Sequence, residues 1–501
     1  MPAPNAPTEG DETPRAKVLS LNYHEVTQDA RVFKQARALA RRGYEVAVIC
    51  RLLDGFEAID HVEGVAIHRF DCFDHEHATL DALDLLPFLE TSRALVAERY
   101  LPYAEAARAR AATTHRREAL QARIRANSPA RDGEAPLPLR ERLERWRKRR
   151  RAKLGRLAHS LPRKLARRRF RAAYRNLYQG LAVTFAANLA CEELPFAPDI
   201  VHAHDFYTLP AAIMLARRTG AKVLYDAHEY EPGRATKMPP EGNAMIDAME
   251  RDCLAHVDRM TTVGPAIADL YAKRFPGPPP ALVMNTPEIT DADAVELGSG
   301  RLRVMAGLAP ETKLIAFTGG TQRENRGLDK MCRALAELPE FHLVALGPRV
   351  RRDDRWLMDH AKSAGVADRI HLLPPVEARD VVPTIADADV AICVIQDAGV
   401  SYRYALPNKL FEAAFARLPI VVSNLPEMRR FVEDFGIGAA TDQTDPQAIA
   451  SALREVTERR SSFLLSKQDV RRLIQQYSWI AQEEKLARLI LEMAKVNGAR
   501  A

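Results

Sequence analysis

Short apolar runs alternate with amphipathic stretches along most of the chain. AKVLSLNY, from Ala16 to Tyr23, predicts a buried strand, and DARVFKQARALARRG predicts a helix ended by Gly43. YEVAVICR is the next strand. After a long interruption PDIVHAH reads as a strand, LPAAIMLARRTG as a helix closing at Gly220, and AKVLYDAHE as a strand. EGNAMIDAMERDCLAHV is then a helix, and RMTTVG and ALVMNTPE are two further strands with a helix between them. Apolar strands joined by helices are the pattern of parallel βαβ units covered on both faces.

A polar stretch from Thr290 to Gly300 breaks the alternation, which restarts at KLIAFTGG. The helix GLDKMCRALAEL follows, with Leu328, Met331, Leu335 and Leu338 on one stripe. FHLVALGP, RIHLLPPV, VAICVIQD, PIVVSN and GIGAAT predict five more strands. The expected organisation is a disordered tail (1–15), a first doubly wound α/β domain (16–289) with an insert at about 99–180, and a linker (290–312). A second domain of the same kind (313–465) and a C-terminal helical segment (466–501) packing back across the junction complete it. Facing domains of this type place the C-terminal ends of both sheets on one cleft, where such folds bind ligands.

Composition narrows the class. The 501 residues hold 73 Lys or Arg, 66 Asp or Glu and 47% apolar residues, a globular balance that excludes disorder as the main state. No run approaches the roughly 18–20 apolar residues that span a bilayer, and the first sixteen residues lack an apolar signal core, so a cytoplasmic location is expected. Cys50, Cys72, Cys191, Cys253, Cys332 and Cys393 form no C-x-x-C pair and read as reduced core residues, which argues against zinc, iron–sulfur or thioredoxin-like chemistry.

Charge is unevenly spread. Residues 99–175 carry 25 Arg or Lys against 6 Asp or Glu, while the rest of the chain is net acidic. Within this insert Leu139, Leu143 and Trp146, then Leu154, Leu157 and Leu161, recur at helical spacing before Pro162. Such a basic amphipathic segment suits an anionic membrane surface, here through residues 139–175, or packs on the protein body. Nucleic acid is not expected, because no recognition module accompanies the charge.

The segment YRYALPNKLFEAAFARLPIVVSN carries the most chemistry. Pro407 suits a first helical turn, leaving the amides of Asn408, Lys409 and Leu410 free to face an anion beside the Lys409 ammonium. Glu412 lies one turn further on the same face, placed to accept bonds from ribose hydroxyls. LPNKLFEA-x-x-A-x-LPIVVS resembles the nucleotide-sugar motif of the GT-B glycosyltransferases, most closely the retaining family 4. DARV near Asp29, PDIVHAHD, DAHE, FTGG…RG from Phe317 to Gly327 and YSW at Tyr477 to Trp479 extend the resemblance over most of the chain outside the insert.

The resemblance implies a GT-B fold of two Rossmann-like domains, the second binding a nucleoside-diphosphate sugar and the first a saccharide or lipid-linked acceptor. It implies that Gly319, Gly320 and Thr321 approach the diphosphate with Arg326 or Arg323 assisting, and that His228 acts near the transferred sugar. His204, Asp205, Asp226, Glu229 and Tyr404 are expected on the acceptor or sugar side. Two positions depart from the family pattern: Tyr404 stands where the first acid of an E-x7-E pair is usual, and Thr321 replaces a basic residue. The D-x-D candidates Asp291/Asp293 and Asp387/Asp389, and the H-x-H pair His202 and His204, do not make a convincing cation site, so no metal or other cofactor is expected. The expected activity is metal-independent glycosyl transfer with retention, in capsule, exopolysaccharide or lipopolysaccharide assembly. A nucleotide-sugar epimerase and a catalytically silent nucleotide-sugar-binding scaffold at the membrane are the alternatives.

Overall fold

The computed structural model describes residues 15–26, 29–70, 86–91, 182, 185–186, 188–190, 192–234, 240–290 and 301–495. The basic insert, Asp291, Asp293, Cys72 and Cys191 lie outside the described residues.

The first sheet is built from β1 (Lys17–Leu21), β2 (Glu45–Arg51), β3 (Ile59–Val62), β4 (Val65–Phe70), β5 (Ile200–His204), β6 (Lys222–Ala227), β7 (Arg259–Thr262) and β8 (Ala281–Leu282). Its order is β3-β4-β2-β1-β5-β6-β7-β8. All neighbours are parallel except β3 and β4, an antiparallel pair turned at Glu63 and Gly64, both with positive φ. The sequence pattern missed that hairpin: the two-residue Glu-Gly turn between alternating positions was its signal. ALVMNTPE yields only the two residues of β8, because the backbone then leaves the sheet to cross between domains.

The second sheet holds β9 (Lys313–Thr318), β10 (Phe341–Leu346), β11 (Ile370–Leu373), β12 (Val390–Cys393), β13 (Ile420–Ser423) and β14 (Gly438–Thr441). It is parallel throughout, in the order β11-β10-β9-β12-β13-β14. Each sheet is covered on both faces by helices, with one buried apolar cluster per face. The four described cysteines, Cys50, Cys253, Cys332 and Cys393, are free and buried in these cores.

The chain crosses between domains twice. Residues 301–306, inside the stretch expected to be a linker, instead form a helix docked on the second domain. Its start is held by Asp387, whose carboxylate accepts the Leu302 and Arg303 amides at 3.0 and 3.1 Å, while Arg303 pairs with Asp389 at 2.6 Å. The two aspartates of that D-x-D sequence therefore serve as a helix cap and an ion-pair anchor. At the other crossing, the helix Lys467–Tyr477 packs in the second core, and the helix Trp479–Lys495 packs Trp479, Leu486, Leu489, Ile490 and Met493 into the first.

Candidate active site

Strand register assembles the first half of the site. Pairing sets His204 of β5 beside Asp226 of β6, and Asp226 beside Thr261 of β7, so one polar row crosses the C-terminal ends of three strands. Asp226 is fully buried and would be untenable alone. Its oxygens accept from Arg31 Nη2 at 2.7 Å and Nε at 2.9 Å, Gln35 Nε2 at 2.8 Å and Thr261 Oγ1 at 2.7 Å. Although burial opposes ionisation, Arg31 and His228 hold this carboxyl well below the usual range.

His228, just beyond β6, lies between two carboxylates, with Nε2 3.2 Å from Asp226 and Nδ1 3.4 Å from Asp205. A ring with an acceptor at each nitrogen donates from both, which is the imidazolium form. Burial disfavours that charge, but Asp205 and Asp226 outweigh it and raise the imidazole to about 10. Reciprocally, His228 and then Arg234 overcome the burial of Asp205 and lower it to about 2. Asp205 opens the helix Asp205–Thr219 with φ at +61°, a left-handed turn uncommon for a residue with a Cβ. Its Oδ1 is buried with no hydrogen-bond partner among the described residues.

His202 and His204 lie with ring centroids 4.1 Å apart and planes tilted by 41°, and burial pushes both below the usual imidazole range. Asp226 supplies the third candidate ligand that the sequence did not reveal, the ligating atoms of all three lying within 4.8 Å. Arg31 and the His228 imidazolium already neutralise that carboxylate, and their charges oppose a further cation there.

The second half is at the end of β9. Asn408 begins the helix Asn408–Phe415 and Pro407 is its N-cap, so the helix starts just after the proline that the sequence places in its first turn. The Leu410 amide bonds back to the Pro407 carbonyl at 3.1 Å, and Leu410 is wholly buried, so the amides of Asn408 and Lys409 are those a helix start leaves unmatched. Lys409 donates to the Thr318 carbonyl and lies 4.5 Å from the Phe317 ring centre. Burial lowers its ammonium below the usual lysine range. Gly319 makes this approach possible: a Cβ there would stand 2.6 Å from Nζ, and its φ is +101°. The Thr318 hydroxyl donates to Glu412 Oε2, and Gly320 follows in the same loop.

The remaining sequence-selected residues separate. Thr321 is buried, donating to Asp354 at 2.7 Å and accepting from Arg349 at 3.1 Å, so its hydroxyl is spent inside the domain. Arg323 turns to the helix Arg351–Ser363, meeting Asp353 at 3.2 Å and the Arg352 carbonyl at 3.2 Å. Arg326 is held by Gln322 at 2.9 Å, and its charge reaches both Lys409 and, across the cleft, Glu229. Tyr404 packs on the core of the first domain. Arg31, Gln35, Thr261 and Thr318 were missed as site residues, though Arg31 lies within the quoted DARV motif.

Two α/β domains, one on a largely and one on a wholly parallel sheet, with helices on both faces of each, define the GT-B architecture. Each half of the chain matches a glycosyltransferase family model: "Glycosyl transferases group 1" matches residues 312–459, and "Glycosyl transferase 4-like domain" matches residues 102–286. It is 27% identical over 271 residues to a D-inositol 3-phosphate glycosyltransferase of Xylanimonas cellulosilytica, covering 51% of this chain and 62% of that protein. A glycogen synthase of Mycobacterium tuberculosis is 24% identical over 266 residues, 52% of this chain and 60% of the relative. The matched region thus spans less than two thirds of either relative. In fold, the chain is similar to a sucrose-phosphate synthase of Thermosynechococcus elongatus (TM-score 0.62, 13% identity, 96% of this chain and 100% of that one). It is also similar to Alr3699/HepE of Anabaena, solved with UDP and glucose (TM-score 0.54, 11% identity, 95% and 99%).

Proposed function

We propose that this chain transfers a glycosyl group, with retention and without a metal, from a nucleoside-diphosphate sugar to a hydroxyl of a saccharide or lipid-linked acceptor, in assembly of an envelope polysaccharide. The observation that carries the reading is the pairing of the Lys409–Thr318–Glu412 cluster at a helix start with the His228–Asp205 pair on the facing domain. The Asn408 and Lys409 amides, the Lys409 ammonium and Arg326 meet the charge that grows on the departing diphosphate. Glu412 takes a ribose hydroxyl, and Asp205 Oδ1 accepts from a non-reacting hydroxyl of the acceptor. Front-face transfer, with the leaving diphosphate receiving the acceptor proton, follows the family resemblance. The structural use of Asp387 and Asp389 and the Arg31 partnership of Asp226 support a metal-free site.

A calorimetric screen of nucleotide sugars, then acceptor trials with the best donor and NMR assignment of the product anomer, tests the proposal. Isomerisation of donor without acceptor makes the protein an epimerase, and donor binding without turnover on any acceptor makes it a scaffold. Among the described residues no helix is long and apolar enough to cross a membrane. The charge of residues 99–175 supports peripheral attachment to anionic lipid, so the full chain is expected to sediment with anionic but not neutral vesicles, and less so as salt rises.

A further inference from the structure

We infer that Arg31, assisted by Gln35, is a positioning residue for His228, acting through the Asp226 carboxylate that the three side chains share. The inference rests on the proposed glycosyl transfer for its functional consequence and on geometry for the rest. Asp29 caps the helix Ala30–Ala40 by accepting the Arg31 and Val32 amides at 3.2 and 3.3 Å. That start places Arg31 and Gln35, one turn apart, on the face toward Asp226. Arg31 is 4% exposed and grips both carboxylate oxygens, while its Nη2 also donates to the Val283 carbonyl at 2.8 Å. The carboxylate is therefore fixed from two elements, the first helix and β7 through Thr261, and Arg31 is itself held by the segment after β8.

Asp226 Oδ2, which accepts from Arg31 Nε and Gln35, is the same oxygen that faces His228 Nε2. The position of that oxygen sets the ring plane of His228, and hence where the cationic edge stands in the cleft. A monodentate cation could neutralise Asp226 without fixing its plane; the forked guanidinium does both. The DARV sequence thus contributes a capped helix start and a two-point clamp on a residue 195 positions away.

The test uses Arg31→Lys, which keeps the charge and loses the fork, and reads the downfield ring N–H resonances of His228 in the full chain, assigned by their loss in His228→Gln. In Arg31→Lys the Nε2 proton is expected to shift or exchange away while the Nδ1 proton toward Asp205 stays. UDP affinity by calorimetry should remain within about twofold, turnover should fall about tenfold, and adding Arg31→Lys to His228→Gln should cost nothing further. If Arg31→Lys does not fold, Gln35→Leu, which removes one donor from the same oxygen, is expected to move the Nε2 resonance selectively. Unchanged resonances in a folded variant, or losses that add in the double variant, overturn the inference. If no donor and acceptor pair turns over, the glycosyl-transfer reading falls, and the resonances alone decide the role of Arg31.

Discussion

The Ser401 hydroxyl bonds to both polar groups of the Tyr230 peptide backbone, accepting from its amide at 3.0 Å and donating to its carbonyl at 3.1 Å. Tyr230 belongs to the loop that carries His228 and Glu229, and Ser401 to the short helix before the donor segment, so one side chain bridges the two domains. Alongside it Gly233 packs on Val400, where a Cβ would approach to 2.5 Å. Ser401→Ala is expected to lower stability by about 0.5–1.5 kcal/mol per lost bond, read as a lower urea midpoint, and to increase proteolytic nicking in residues 228–234. An unchanged nicking pattern would show that this contact does not hold the domains together.

Glu412 holds the Thr318 hydroxyl with one oxygen. Glu412→Ala is expected to weaken binding of the nucleoside diphosphate found in the donor screen by about 1.5–3 kcal/mol, the scale of a charge-assisted hydrogen bond, with the fold kept. Calorimetry checks this, and full affinity in the variant would remove Glu412 from the donor site.

His228 leads to a pH prediction. Its folded value of about 10 lies above the ordinary imidazole value of 6.5. The stabilisation from its carboxylate contacts is therefore fully present below pH 6.5 and is lost as pH rises toward 10. The stability gap between the wild type and His228→Gln should be widest in mild acid and close through that window. Asp205 works in the opposite sense: its contribution is present above its ordinary 3.8 and fades as pH falls toward 2. Denaturation midpoints across pH check both directions. His228→Gln should also cut turnover more than nucleotide affinity, since His228 stands on the facing domain.

Arg303 joins three acceptors, the Asp387 carbonyl, the Asp389 carboxylate at 2.6 Å and the Thr312 carbonyl at 3.1 Å. Arg303→Met should destabilise the second domain by about 3 kcal/mol, because Asp387 is left buried without its cation. Chelator should change neither its nucleotide binding nor that of the wild type. A magnesium-dependent rescue of binding would instead make the two aspartates metal ligands.

Much of the architecture is legible along the chain because burial imposes local periods: KVLSL, KVLYDA and IVVS have few polar positions, and Gly220 closes its helix in the left-handed conformation where a Cβ is disfavoured. The Asn408 helix start is legible for the same reason, since proline, amides, Lys409 and Glu412 are neighbours in sequence. The hairpin of β3 and β4 was overlooked, although its turn is equally local.

The identity of partners was decided only by tertiary structure. Arg31 and Asp226 are 195 positions apart, and strand order together with helix packing places one against the other. Nothing local distinguishes Arg323, which turns to Asp353, from Arg326, whose charge enters the cleft. The same holds for Asp387 and Asp389, whose spacing resembles a metal motif but whose neighbours are helix amides and Arg303. Hydrophobic periodicity is a property of consecutive residues, whereas a buried charge is settled by whichever counter-charge the folded chain brings within a few ångströms of it.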